Sequence, residues 1–291
     1  MLGLQLGHYT LHAILDGTFA LDGGAMFGVV PKTLWQKALP ADAENRVSLA
    51  LRTLLIVDER PGGRRILVDV GIGDLWSEKN RVIYKIARNG GLTARLAELG
   101  LCANDITDVV ITHLHFDHVG GATARAADGN VRLTFPRATH HVQRRNWSWA
   151  HHPSERDCRS YLPETFSALE GSGKLHLVEG ETELLPGVFL LPSEGHTVGA
   201  QLVRVVGSDA SGTQTALVFC GDLIPTRAHL RAAWHMAYDL YPLTLLEEKR
   251  LLLAQALEER SILFFPHDPN IAACRARDVQ GEAVLDEVVA L

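Results

Sequence analysis

The sequence predicts an α/β fold in which two β-sheets are sandwiched between helices. Apolar β-forming runs recur near both ends of the chain, and stretches of helical period fall between them. With 46% apolar residues among 291, the chain can bury a substantial core. No Gly/Ser/Pro linker or charge run separates two halves. One domain over 1–291 is expected, carrying an inserted segment at about 144–166.

The elements follow in order. His8–Leu15 and Thr18–Leu21 flank Asp16-Gly17, a strong hairpin signal. Ser48–Asp58 and Arg65–Val70 read as strands joined by the turn Glu59-Arg60-Pro61-Gly62-Gly63. Leu92–Leu99 is a short amphipathic helix that ends at Gly100, a C-cap position. Asp108–Thr112 is a buried strand, because β-formers run together and then stop. The segment from Arg144 to about Phe166, with Trp147, Trp149 and Tyr161, is expected to be helical and to pack on the outside. Strands at Val188–Leu191, Leu202–Val206 and Ala216–Cys220 follow closely. Leu243–Leu257 is a helix whose leucines at 245, 246, 252, 253 and 257 put one face in the core.

Composition narrows the function. A net charge of −6 gives no electrostatic reason to expect nucleic acid as partner. The N-terminus lacks the basic start and long apolar stretch of a secretory signal. No apolar run approaches the ~18 residues of a membrane span. Cys102, Cys158, Cys220 and Cys274 are scattered without metal-ligand pairing. They read as reduced thiols, mostly core filler, in a cytoplasmic protein.

The most informative stretch is Thr112-His-Leu-His-Phe-Asp-His-Val-Gly-Gly. A chain leaving the strand still extended sends His113, His115 and Asp117 to one side. With His118 they offer three imidazoles and a carboxylate within six residues. Such nitrogen and oxygen ligands suit zinc and related divalent metals such as Mn, Fe, Co or Ni. Gly120 and Gly121 allow the backbone to turn tightly beneath them.

This motif resembles the signature of the metallo-β-lactamase superfamily. Four further elements stand in family order: Asp69 followed by Gly71 at a strand end, His196 after Val188–Leu191, Asp222 after Ala216–Phe219, and His267 after Ile262–Phe265. The resemblance implies an αββα four-layer sandwich with the ligands on loops at one edge. It assigns His113, His115 and His196 to one metal, Asp117, His118 and His267 to a second, and Asp222 as a bridge. Seven groups are too many for one tetrahedral ion and suit two. Two ions ~3.5–4 Å apart can share a hydroxide that attacks a carbonyl or phosphoryl centre. Asp117, Asp222 and that hydroxide offset three of four positive charges, leaving one to meet an oxyanion. Asp117 and Asp222 are thus the candidate catalytic carboxylates. Asp69 can accept a ring N–H and fix a ligand's tautomer.

Departures within the family select a branch. His115 stands where flavodiiron-type members carry Glu, and Asp222 where zinc β-lactamases carry Cys or Ser. Cys220 belongs to the strand and should face away from the bridge. The arm and basic surface of the ribonuclease branch are not visible. What remains is similar to the N-acyl-homoserine-lactone lactonases and related dinuclear ester and phosphotriester hydrolases. A small-molecule lactone or ester substrate is implied, and a homodimer by family analogy. The alternatives are a phosphoesterase on the same site, a mononuclear iron sulfur dioxygenase, and a non-catalytic binding protein.

Asp16–Pro31 either folds over the metals as a pocket wall or packs Met26 and Phe27 into the core. Met26, Phe27, His229 and Trp234 are the candidate substrate-pocket residues. Similar lactonases carry a Tyr three residues after the bridging Asp, where Pro225 stands here. His229, His235, Tyr238 and Tyr241 are the available replacements for its hydroxyl. His140, His141, His151 and His152 are expected at the surface or at helix ends. His8, His12 and His176 are expected to be structural.

Overall fold

In the computed structural model, residues 3–291 are described; the first two residues of the N-terminal stretch lie outside them. β1 (Leu4–Leu6) pairs with β2 (Tyr9–Asp22), and β2 pairs antiparallel along its length with β3 (Arg46–Asp58). The hairpin expected at Asp16-Gly17 is a β-bulge instead, where the register shifts and the strand runs on. The buried Asp16 carboxylate accepts from the Arg88 guanidinium at 2.6 and 3.0 Å and from the Leu92 N–H at 2.6 Å. A Cβ on Gly17 would meet the Ala87 carbonyl. The partners of Asp16 lie some 70 residues away in sequence, so a local turn signal could not reveal them.

The remaining elements mix strands with short helices. α1 (Gly23–Phe27) and α2 (Lys32–Trp35) link β2 to β3. β4 (Arg65–Val68), α3 (Glu78–Ile83), α4 (Gly91–Glu98), β5 (Asp108–Val110) and α5 (Phe116–Val119) follow. A small hairpin, β6 (Thr123–Arg125) and β7 (Val131–Leu133), precedes β8 (Thr139–Gln143), α6 (Arg144–His151) and β9 (Leu175–Val178). The second sheet contains β10 (Thr182–Leu185), β11 (Val188–Ser193), β12 (Ala200–Ser208) and β13 (Gln214–Phe219). After α7 (Pro242–Glu258) it is completed by β14 (Ile262–Phe264), β15 (Ala273–Val279) and β16 (Glu282–Val289). The strand orders are β1-β2-β3-β4-β5-β8-β9 and β10 through β16 in sequence.

Strand alternation divides the apolar residues into layers. Val68 and Val110 face the second sheet, packing in one cluster with Leu190, Val205 and Phe264. Their neighbours Leu67 and Val109 face the other way, toward Leu96 of α4 and Phe166. Val218 and Leu263 of the second sheet pack against Leu245, Leu252 and Leu253 of α7. Helix, sheet, sheet, helix is the four-layer α/β sandwich implied by the motifs. No helix among the described residues is long and apolar enough to cross a membrane.

The segment at 144–166 differs from its expectation. Only α6 is α-helical, and Ala150, Tyr161 and Phe166 are buried in the first sheet's outer cluster. Its aromatic residues are covered because they close that face of the sheet. His140 and His141 are also buried, since β8 lies between β5 and β9; His151 and His152 are exposed at the end of α6, as expected. His141 Nε2 donates to Asp108 at 2.8 Å. Cys220 and Cys274 are buried, but Cys102 and Cys158 are exposed, so only half the thiols fill the core.

Candidate metal centre

Backbone geometry at the end of β5 sorts the motif into two groups. The chain stays extended through His115, which is the N-cap of α5. It then turns into the helix, so Asp117 does not share a side with His113 and His115 as an unbroken strand would require. His113 and His115 meet His196, Asp117 and His118 meet His267, and His113 and His118 also come together at Asp222, between the two groups. Gly120 and Gly121 serve a different need from the one expected. Gly120 has ordinary helical φ of −53°, but a Cβ there would collide with the Ile72 carbonyl, and one on Gly121 with that of Val70. Close backbone approach, rather than a tight turn, requires glycine here.

The other ligand candidates come from strand ends of the second sheet. His196 follows β11, where Gly195 lets the loop lie against the Leu245 backbone. Asp222 sits in a short turn after β13, and His267 follows β14. Nε2 of His113 lies 3.0 Å from Nδ1 of His115, which lies 3.1 Å from Nε2 of His196. In the second group Nε2 of His267 is 3.1 Å from Nε2 of His118 and 3.5 Å from Asp117 Oδ2. Asp222 stands between them. Its Oδ2 is 3.3 Å from His196 Nε2, and its Oδ1 is 3.3 and 3.2 Å from Nε2 of His118 and His267.

Outer hydrogen bonds determine which ring nitrogens are bare. His118 Nδ1 is 2.7 Å from Asp69 Oδ2, and His196 Nδ1 is 2.8 Å from Asp239 Oδ1. A carboxylate only accepts, so both Nδ1 atoms carry hydrogen. His267 Nδ1 donates likewise to the Ala50 carbonyl at 2.8 Å. The Thr112 hydroxyl gives its hydrogen to Asp69 at 2.9 Å, leaving its oxygen to accept from His113 Nδ1 at 3.0 Å. In the neutral rings, four Nε2 lone pairs therefore point inward. Bare nitrogens this close repel one another unless a cation lies among them. Asp222 Oδ1 is buried without a hydrogen-bond partner among the described residues. The nitrogen and oxygen donors fit zinc or a similar divalent ion.

Electrostatics divide the cluster, lowering His113 and His115 but raising His118 and, through Asp222 and Asp239 against its burial, His196. Burial, reinforced by the neighbouring imidazoles, holds His113 and His115 well below the usual histidine range. Burial also opposes charge on His118, but Asp222, Asp117 and Asp69 overcome it and raise His118 well above that range. Asp222 is held well below the carboxylate range because His118, His267 and His196 outweigh its burial. An entering cation competes with the His118 proton.

A cavity of about 130 Å³ opens onto Asp117, His196, Asp222 and His267. Met26 lines it, as expected, along with Phe19, Leu49, Phe116 and Met236. Three expected pocket residues do not. Phe27 is fully buried, stacked between Trp35 at 5.1 Å and His229 at 4.9 Å. His229 is buried with both nitrogens engaged, at 2.8 Å from Thr226 Oγ1 and 2.9 Å from the Met26 carbonyl. Trp234 packs edge-on against Phe27, carries Arg231 over its ring, and borders a different groove. Asp16–Pro31 thus does both things considered for it: Phe27 enters the core and Met26 forms wall.

Sequence reasoning missed several participants. Asp239 is 43 residues from His196, and nothing in its spacing marks it as that ring's partner. Tyr84, Arg159 and Ser160 reach the cavity from α3's end and from the segment after α6. Tyr161, from the same segment, packs edge-on against His115 with centroids 4.8 Å apart.

Comparison with known proteins agrees with this geometry. A model described as the metallo-beta-lactamase superfamily matches residues 53–267. An N-acyl homoserine lactonase of Bacillus cereus is 26% identical over 225 residues, covering 74% of this chain and 79% of its own length. A probable metallo-hydrolase of Mycobacterium tuberculosis is 25% identical over 280 residues, covering 87% and 84%. Among solved structures, a probable metal-dependent hydrolase from Staphylococcus aureus has a TM-score of 0.84 at 31% identity, covering 99% of this chain and 100% of that one. The dizinc quorum-quenching lactonase AidC shares the fold with a TM-score of 0.77 at 20% identity, covering 99% and 97%. The chain belongs to the metallo-beta-lactamase superfamily and is a metal-dependent hydrolase.

Proposed function

We propose that the protein is a dinuclear hydrolase of small lactones or activated esters. The observation that carries this reading is the division of seven side chains into two groups joined by the two oxygens of Asp222. His113, His115 and His196 would hold one ion, and Asp117, His118 and His267 the other. When bound, two divalent ions polarise the electrophile and make water a stronger nucleophile at neutral pH.

The chain's own residues do the rest. Asp222 keeps both groups in one register, and Asp117 brings a carboxylate to the cavity side of the second. Asp69 and Asp239 aim the imidazoles. Phe19, Met26, Leu49 and Met236 offer an apolar wall to an acyl or aryl group and keep water from it. An N-acyl homoserine lactonase among the relatives supports the lactone class. The second group counts against a mononuclear iron dioxygenase, because Nδ1 of both His118 and His267 is held so that Nε2 faces inward.

Elemental analysis after zinc, manganese or cobalt loading tests the metal count, with about two ions per chain expected. Steady-state assays on lactone, aryl ester, phosphotriester and thioester substrates test the class, with Asp222→Ala as control. Saturation near one ion would revive the mononuclear reading. Phosphoester cleavage without lactone or ester turnover would move the assignment to the phosphoesterase branch.

A further inference from the structure

Pro225 brings no side-chain donor to the third position after Asp222, yet a hydrolase of carbonyl substrates gains from one at the reacting oxygen. We infer that Tyr238 supplies this donor, with Tyr84, which lines the same cavity, as a second; the inference rests on the hydrolase reading above.

The structure separates the four replacements considered for this role. His229 is occupied on both nitrogens. His235 Nδ1 is 3.0 Å from the Met236 carbonyl. Tyr241 is the N-cap residue of α7 and does not line the cavity. Tyr238 lines it, together with Asp117 and Asp222, and its hydroxyl has no hydrogen-bond partner among the described residues.

The backbone around Tyr238 is fixed on every side. Lys249 Nζ donates to the Trp234 carbonyl and Arg156 to that of Ala237, each at 2.5 Å. The Ala237 N–H bonds the Ala25 carbonyl at 2.8 Å, and the Leu240 N–H bonds that of His196 at 3.0 Å. The same segment carries Asp239, whose other oxygen accepts from the Met236 N–H at 2.7 Å. One rigid span therefore orients a candidate metal ligand and presents a phenol to the same cavity. A donor so placed needs little reorganisation as charge develops.

Tyr84 is held independently. Its ring packs against Trp76 at 5.5 Å and Phe116 at 5.4 Å, and its hydroxyl also lacks a partner among the described residues. Burial, then the neighbouring Tyr84 and nearby acidic groups, push the Tyr238 phenol up to about 12. Burial and Asp117 raise Tyr84 likewise. Both phenols thus keep the O–H that a carbonyl oxygen or oxyanion can accept at neutral pH. The apolar residues of the wall have none to give.

Tyr238→Phe and Tyr84→Phe in the zinc-loaded protein test the inference, with Tyr241→Phe as control. Two readouts are needed: ester or lactone kinetics, and calorimetric binding of hexylphosphonate, a tetrahedral oxyanion with a short apolar chain. Tyr238→Phe is expected to lower kcat by about 10²- to 10³-fold, as for loss of one oxyanion donor. Its KM should change little, its zinc content should not change, and phosphonate binding should weaken in parallel. Tyr84→Phe should show a smaller loss in the same direction, and Tyr241→Phe none. Wild-type kcat and wild-type phosphonate affinity in Tyr238→Phe would overturn the inference. So would a loss matched by lost zinc, which would make the residue structural. If the wild-type protein cleaves no ester or lactone, the functional reading fails, and phosphonate binding still decides the role of Tyr238.

Discussion

Asp239 Oδ1 lies 2.8 Å from Nδ1 of His196, so the carboxylate that aims this imidazole comes from 43 residues further along the chain. The contact is buried on both sides. Asp239→Asn keeps the shape and loses the charge. Zinc affinity is expected to fall roughly 10–100-fold, the usual cost of altering a ligand's outer partner. Competition with a chromophoric chelator measures it, and an unchanged dissociation constant would refute the role.

Asp69 is bonded to both groups, directly to His118 and through the Thr112 hydroxyl to His113. Asp69→Asn should therefore weaken binding of both ions, whereas Thr112→Val should weaken chiefly the ion held by His113, His115 and His196. Stepwise cobalt titration followed by visible absorption distinguishes these outcomes. Equal effects of the two variants on both steps would show that Asp69 does not act by these separate routes.

Asp222→Ala removes the one carboxylate whose oxygens face both groups. Turnover should fall by orders of magnitude while far-ultraviolet circular dichroism stays that of the wild type, because Asp222 sits in a turn outside the strand ladders. Activity within about tenfold of wild type would contradict its placement at the reacting centre.

His140 offers a stability test away from the centre. It is fully buried, neither ring nitrogen has a hydrogen-bond partner among the described residues, and burial lowers it to about 4. The folded ring stays neutral where an unfolded histidine already binds a proton. The unfolded state therefore binds more protons between about 6.5 and about 4, and stability falls as pH drops through that window. Full development of the shift corresponds to a loss on the order of 3 kcal/mol. His140→Leu should flatten this dependence and raise the melting temperature at pH 5 more than at pH 8. Parallel melting curves for the two proteins across that range would contradict it.

The elements with strong periodicity were legible in the chain. So were the seven side chains that converge, because ligand spacing and strand ends mark each of them locally. Features decided by distant partners were hidden. The bulge at Asp16 depends on Arg88 and Leu92, and Asp239 gains its role only when α7's leading loop reaches His196. Burial of His140 follows from β8 lying inside the sheet, a fact of topology rather than composition. The pocket residues differ for the same reason: Phe27 and Trp234 look available in sequence, but Phe27 stacks between Trp35 and His229, and Trp234 packs edge-on against Phe27.

Each candidate triad takes two members from the loop and helix that follow β5 and its third from the far sheet: His196, His267 or, between them, Asp222. His267 also exchanges bonds with Ala50 of β3, through its backbone carbonyl at 3.1 Å and its ring at 2.8 Å. A nascent chain extended only through β9 carries His113, His115, Asp117 and His118 and can complete none of them. Capture of an ion by any triad would therefore wait on the closing of the second sheet over the first. A centre built this way would be a clasp as well as a reaction site, and its occupancy would record that the two layers have met in register.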